Sequence, residues 1–181
     1  MKTNGYSVIV IGLLLVFFNF TIRISDAFII NLIPSFIGYM IIKEGMKRLS
    51  RIHNPIIFEV TQRFASVLVV YSLVIFLLDL TGLSVFLSTS MMIVSLIVSL
   101  LFLVLQLMFT FHLTRSIQQS NPDGDQLNKK LYMTFQAIVA LDVLSLVFIT
   151  TPMIGFIIVV GSFVAQIIYM ITINTIGSMS Q

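Results

Sequence analysis

The side chains in this sequence that could do chemistry are few, and the least ordinary of them stand inside apolar runs. Asp142 is flanked by Ala140, Leu141, Val143 and Leu144, Gln106 by Leu105 and Leu107, Gln166 by Val164, Ala165 and Ile167, and Asn31 by Ile30 and Leu32. A polar group in such surroundings costs several kcal/mol to desolvate unless a partner or water meets it. Two kinds of chemistry suit that pattern. The amides and the acid can hydrogen-bond across helices, or they can line a cavity that takes a polar solute or a proton. Pro34 lies three residues after Asn31. Within a helix it would leave the carbonyl of Ile30 without its amide and kink the chain, and the Asn31 side chain would be at hand for the loosened backbone or a passing ligand. Asn31, Pro34, Gln106, Asp142 and Gln166 therefore form a candidate midplane polar site.

Other chemistries find no footing. There is no cysteine, which removes disulfides, thiolate metal sites and thiol redox reactions. His53 and His112 stand apart, without the His-Glu-x-x-His spacing that sets two imidazoles on one helix face. Neither a Gly-x-x-x-x-Gly-Lys phosphate loop nor a Gly-x-Ser-x-Gly nucleophile elbow occurs. Ser120-Asn121-Pro122-Asp123-Gly124-Asp125 resembles half a calcium loop. Lys129 and Lys130 follow it where a closing carboxylate is needed, so it reads as a solvated turn. The expectation is a protein with no enzymatic activity, no cofactor and no metal.

The elements that must position these residues follow from composition. Of the 181 residues 58% are apolar and 9% charged, against about 25% charged in soluble chains, so the natural solvent is a lipid bilayer. A span takes about 20 apolar residues, because a helix climbs about 1.5 Å per residue across a core about 30 Å thick. Six stretches qualify, at about 6–22, 27–42, 64–80, 90–113, 131–150 and 153–175. The expected fold is an all-α polytopic transmembrane bundle of six spans in one integral membrane domain. With both termini cytoplasmic, Lys2, Lys43, Lys47, Arg48, Arg51, Arg63, Arg115, Lys129 and Lys130 lie inside and only Arg23 outside, as cationic loop residues prefer. That grouping also accounts for the net charge of +3 without nucleic acid as a partner. The first apolar run, with Ser25-Asp26-Ala27 behind it, has the outline of a secretory signal; Arg23 and Asp26 are poor cleavage-region residues, so a retained signal-anchor helix is expected.

Lys43, Lys47, Arg48 and Arg51 partly share one helical face after the second span. They are a candidate patch for anionic lipid headgroups, with ordinary positive-inside anchoring as the alternative. Asn54-Pro55 should break that helix, leaving Ile56-Ile57-Phe58 along the interface. Gly38 and Gly45, seven apart, would let another helix approach closely, and Gly161 with Ala165 repeats a small-residue pattern. Serines from Ser84 to Ser99 are expected to bond back to their own helix.

The stretch Asn31-Leu32-Ile33-Pro34-Ser35-Phe36-Ile37-Gly38-Tyr39, continuing to Gly45, resembles a recurring Asn-x-x-Pro-x-Phe-x-Gly-Tyr pattern in uncharacterised multi-span membrane proteins of low-GC Gram-positive bacteria. In that group an acid usually stands where this chain has Ser35. The resemblance implies a bacterial plasma membrane. Six spans with both ends inside also look like the substrate-binding subunits of vitamin importers, although the first span lacks that group's Ala-x-x-x-Ala pattern. Two roles are therefore expected: an accessory or structural subunit of a membrane complex, or a small transporter or substrate-binding membrane subunit. The expected partners are the lipid bilayer and other membrane subunits or further copies of this chain.

Overall fold

The structure, a computed structural model, describes residues 5–18, 21–23, 29–31, 34–148 and 151–179. Seven helices and one short hairpin make up these residues. They run α1 (Gly5–Phe17), β1 (Thr21–Arg23), β2 (Ile29–Asn31), α2 (Ser35–Leu49), α3 (Pro55–Leu80), α4 (Leu83–Ser90), α5 (Met92–Ser120), α6 (Asp125–Val147) and α7 (Pro152–Met179). The strands are antiparallel, with Thr21 opposite Asn31 and Arg23 opposite Ile29. Among the described residues four helices, α3, α5, α6 and α7, are long and apolar enough to cross a membrane. α1 and α2 have 13 and 15 residues, about 20 and 23 Å of helix, short of a core about 30 Å thick.

The second apolar stretch departs most from expectation. Rather than a helix over 27–42, Ile29–Asn31 is extended and the helix starts at Ser35, carrying on through Lys43, Lys47 and Arg48 to Leu49. Pro34 therefore does not kink a helix. It precedes one, at φ −63° and ψ 127°. The reason is local: proline steers the residue before it away from helical geometry, while its own fixed φ suits a helix start. A second difference follows at Asn54-Pro55. The break falls where expected, but Ile56, Ile57 and Phe58 belong to α3 itself. The Asn54 side chain caps that helix, accepting from the Ile56 amide at 3.1 Å, with Pro55 in the first turn. The link before α7 includes residues 149 and 150, which lie outside the described residues.

Close backbone approach holds α1 to α2. The two run antiparallel with glycines facing: a Cβ on Gly12 would lie 2.7 Å from the Gly38 carbonyl, and one on Gly5 would lie 2.9 Å from the Gly45 carbonyl. Gly38 and Gly45 thus admit a neighbouring helix as their spacing suggests, and that neighbour carries its own glycine pair at the same interval. α3 lies against α2 and α5, α7 against α1 and α6. Tyr6 ties these elements at one end, bonding to Ser120 at the close of α5 and packing on Gly177 near the close of α7. Both ends of the described chain consequently sit at the same end of the bundle. The fully buried side chains gather there too, among them Ile9, Met46, Phe58, Ile117, Leu131 and Ile176.

Candidate functional site

On α6, Leu131, Phe135 and Ile138 form the buried stripe, and Asp142 is the next residue on the same face by the i, i+3/i+4 rule. On α7, Ser162 and Gln166 are interleaved with buried Ile158, Ala165 and Tyr169. These stripes face each other. Ser162 Oγ donates to Asp142 Oδ1 at 3.0 Å, and Gln166 Nε2 reaches Ser162 Oγ at 3.5 Å, the outer limit of a hydrogen bond. The Ser145 hydroxyl donates to the Asp142 carbonyl at 2.7 Å. Asp142 and Gln166, paired by depth in the sequence, thus belong to one polar cluster. Its linking member is Ser162, whose only signal was a hydroxyl one helical turn before Gln166.

Among the described residues no hydrogen bond joins the other members of the expected layer to it. α5 and α7 run in the same direction, and Thr114 bonds to the Tyr169 hydroxyl at 2.8 Å. Gln106 precedes Thr114 by the same interval as Gly161 precedes Tyr169, so Gln106 shares the cluster's level. Among the described residues no hydrogen bond joins its side chain to Asp142. Asn31 lies in β2, its backbone opposite Thr21, while its side chain is outside the described part. Pro34 instead borders a cavity of about 190 Å³ with Ser35, Tyr71, Ser72, Ser99 and Phe102. There Ser72 and Ser99 bond to carbonyls of their own helices, and Tyr71 donates to the Val98 carbonyl at 2.7 Å.

More interhelical polar contacts occur at the opposite level, where none were foreseen. Tyr6 with Ser120, Thr61 with Ser116 and Tyr169 with Thr114 are hydroxyl pairs at 2.8 Å, all buried, and each has its second member on α5. Ser116 also meets the Ile57 carbonyl at 2.8 Å. α5 therefore bonds through hydroxyls to α1, α3 and α7. Sequence alone assigns the serines from Ser84 to Ser99 to their own helix, which holds for Ser99 and not for Ser84, whose buried hydroxyl has no partner among the described residues; Thr114 bonds both to its own helix and to α7.

Of the candidate lipid patch, Lys43, Lys47 and Arg51 are exposed, while Arg48 is half-buried with its Nε 3.2 Å from Glu44 Oε1. Lys47 and Arg48 occupy the last turn of α2, where positive charge complements the helix dipole. Glu59 and Arg63 form a second i, i+4 pair on α3. Among the described residues no group of three His, Cys, Asp or Glu could hold a metal ion. Compared with protein-family models, curated proteins and solved structures, the chain matches none.

Proposed function

We propose that the protein is a non-enzymatic, multi-pass subunit of the bacterial plasma membrane that acts as an accessory or structural component of a membrane complex. One observation carries this reading: the polar groups inside the helix bundle are mostly met from within it, by carbonyls of their own helix or by side chains of a neighbouring one. Asp142 is engaged by Ser162, and Ser120, Ser116 and Thr114 of α5 by hydroxyls of α1, α3 and α7. Helices associate in lipid through such contacts and through small residues, because burial against neighbours gains little over burial in acyl chains. The broad apolar surface left on α3, α5, α6 and α7 suits lipid and other membrane helices.

In this reading the chain crosses six times with both termini cytoplasmic. The α1–α2 pair leaves and returns at the same level, its two short helices completed by the β1–β2 hairpin, and four long crossings follow. Parity supports the same side for both ends whether or not the first pair reaches the far surface. Because the chain has no native cysteine, single introduced cysteines test this directly: positions in 43–63 and 114–130 should share one labelling pattern. Opposite patterns would overturn the topology.

The alternative, a small transporter or substrate-binding subunit with a midplane site, draws on the Asp142–Ser162–Gln166 cluster and the shared level of Gln106. Asp142→Asn separates the two. An accessory subunit keeps its co-purifying partners and changes stability by about 1 kcal/mol or less. Loss of proton or solute flux in reconstituted vesicles, with partners retained, would favour the transporter.

A further inference from the structure

Arg115 stands near the end of α5 between two cavities, and among the described residues it makes no ion pair; its guanidinium carbon lies 6.0 Å above the Phe111 ring. The larger polar convergence is on the α3 side. There a cavity of about 250 Å³ is bordered by Asn54, Ile57, Val60, His112, Arg115 and Gln119. α3 contributes mostly apolar side chains to it and α5 mostly polar ones. Asn54 is fixed by capping α3, and His112 is fixed by stacking on Phe64 with ring centroids 5.0 Å apart. The floor is the buried Thr61–Ser116 pair. The volume falls below the roughly 300–1,000 Å³ of sites that enclose whole small molecules, and no carboxylate borders it.

We propose that this cavity is a binding site for a phosphate-bearing anion, filled in the membrane by the headgroup phosphodiester of an anionic phospholipid. Arg115 is its charge partner, and His112, Gln119 and Asn54 are its polar neighbours. A guanidinium offers planar, paired donors to phosphate oxygens. The apolar wall of Ile57 and Val60 continues onto the outer face of α3, where Ile56 and Val60 are exposed, so glycerol and acyl carbons have a surface to follow. The site is distinct from the exposed α2 patch of Lys43, Lys47 and Arg51, where cations stand on a convex helix face. The inference rests on the membrane reading above, since it places the cavity at headgroup depth on the basic side.

The test is native mass spectrometry of the full chain in mild detergent, titrated with dioleoyl phosphatidylglycerol, with dioleoyl phosphatidylcholine, and with inorganic phosphate alone. The wild type should take up one phosphatidylglycerol in preference to phosphatidylcholine. Arg115→Gln should weaken that uptake about tenfold, the loss expected of one charge-assisted contact, while Lys47→Gln leaves it unchanged. Displacement of the lipid by inorganic phosphate would mark the anion as sufficient; Arg115-dependent uptake that phosphate cannot displace would mark the lipid as the source. Gln119→Leu, at an exposed rim position, should weaken uptake in the same direction and serves if Arg115→Gln does not fold. Equal uptake of both lipids, or uptake insensitive to Arg115 and Gln119, would overturn the site. Sensitivity to Lys47 instead would overturn it while leaving the membrane reading intact.

Discussion

Where Tyr6, Ser120 and Gly177 meet, the helices are in backbone contact or joined by buried hydroxyl pairs; toward the α4 end, the same helices carry apolar side chains that no other described part of the chain covers. Ile9, Ile42, Leu49, Phe58, Leu113 and Ile173 belong to the first region and are essentially inaccessible. Met92, Ile93, Ile97 and Leu101 on α5, with Phe156 and Ile157 on α7, belong to the second and are exposed. Hydrophobicity does not separate the two regions. What separates them is whether their glycines and hydroxyls meet a neighbouring helix, since these groups bring helices together when the surrounding solvent is as apolar as the side chains: at the α4 end Thr81, Thr89 and Ser99 bond to carbonyls of their own helices. The difference teaches that close helix contact in this fold is concentrated at the basic end, while the other end presents an apolar surface suited to lipid.

The largest expected effect breaks the first region at its tightest point. A Cβ on Gly12 would lie 2.5 Å from Ile42 Cγ1 and 2.7 Å from the Gly38 carbonyl oxygen, and backbone cannot yield as a flexible side chain can. Gly12→Ala should therefore cost about 3 kcal/mol, at the upper end of overpacking penalties, read as a lowered unfolding midpoint in detergent. Gly161→Ala is the matched substitution nearer the open end. Its Cβ would meet Leu141 at 3.5 Å, ordinary van der Waals contact, and the change should fall within about 0.5 kcal/mol of neutral. Equal losses at the two positions would remove the distinction between the regions.

That distinction was only half legible in the sequence. The long apolar runs announce α3, α5, α6 and α7 because a crossing demands about 20 consecutive, mostly apolar residues. Gly38 and Gly45 announce a close approach by their spacing. Their mates Gly5 and Gly12 were not recognisable as mates, since which helix arrives is a property of the packed bundle. The start of α2 was hidden for another reason. An apolar run such as 27–33 has no periodicity that tells strand from helix, and Pro34 is equally at home at a kink or at a helix start. For the candidate site, the depth of Asp142 and Gln166 could be counted from helical rise. The bridging role of Ser162 could not, because it needs the relative rotation of α6 and α7. Asn31 lies on an extended strand rather than a helix, so its level could not be counted from helical rise.

A smaller effect sharpens the comparison at Tyr39, which lies edge-on to Phe109, their centroids 5.6 Å apart. The side chain is fully buried, yet among the described residues its hydroxyl has no hydrogen-bond partner. Tyr169 is equally buried, but its hydroxyl is bonded to Thr114. Leaving a buried hydroxyl unpaired costs about 1–3 kcal/mol, whereas a bond between membrane helices is worth about 0.6 kcal/mol on average. The same chemical change should then act with opposite signs. Tyr39→Phe removes an unmet polar group from a site that keeps its ring, and should raise stability by about 1 kcal/mol. Tyr169→Phe removes one bond and should lower it by about 0.6 kcal/mol, a modest loss because Thr114 still donates to the Thr110 carbonyl. Parallel unfolding curves of the two variants decide the matter. If both are destabilised, the Tyr39 hydroxyl has a partner such as a bound water, and the gap in the polar connections between α2 and α5 closes.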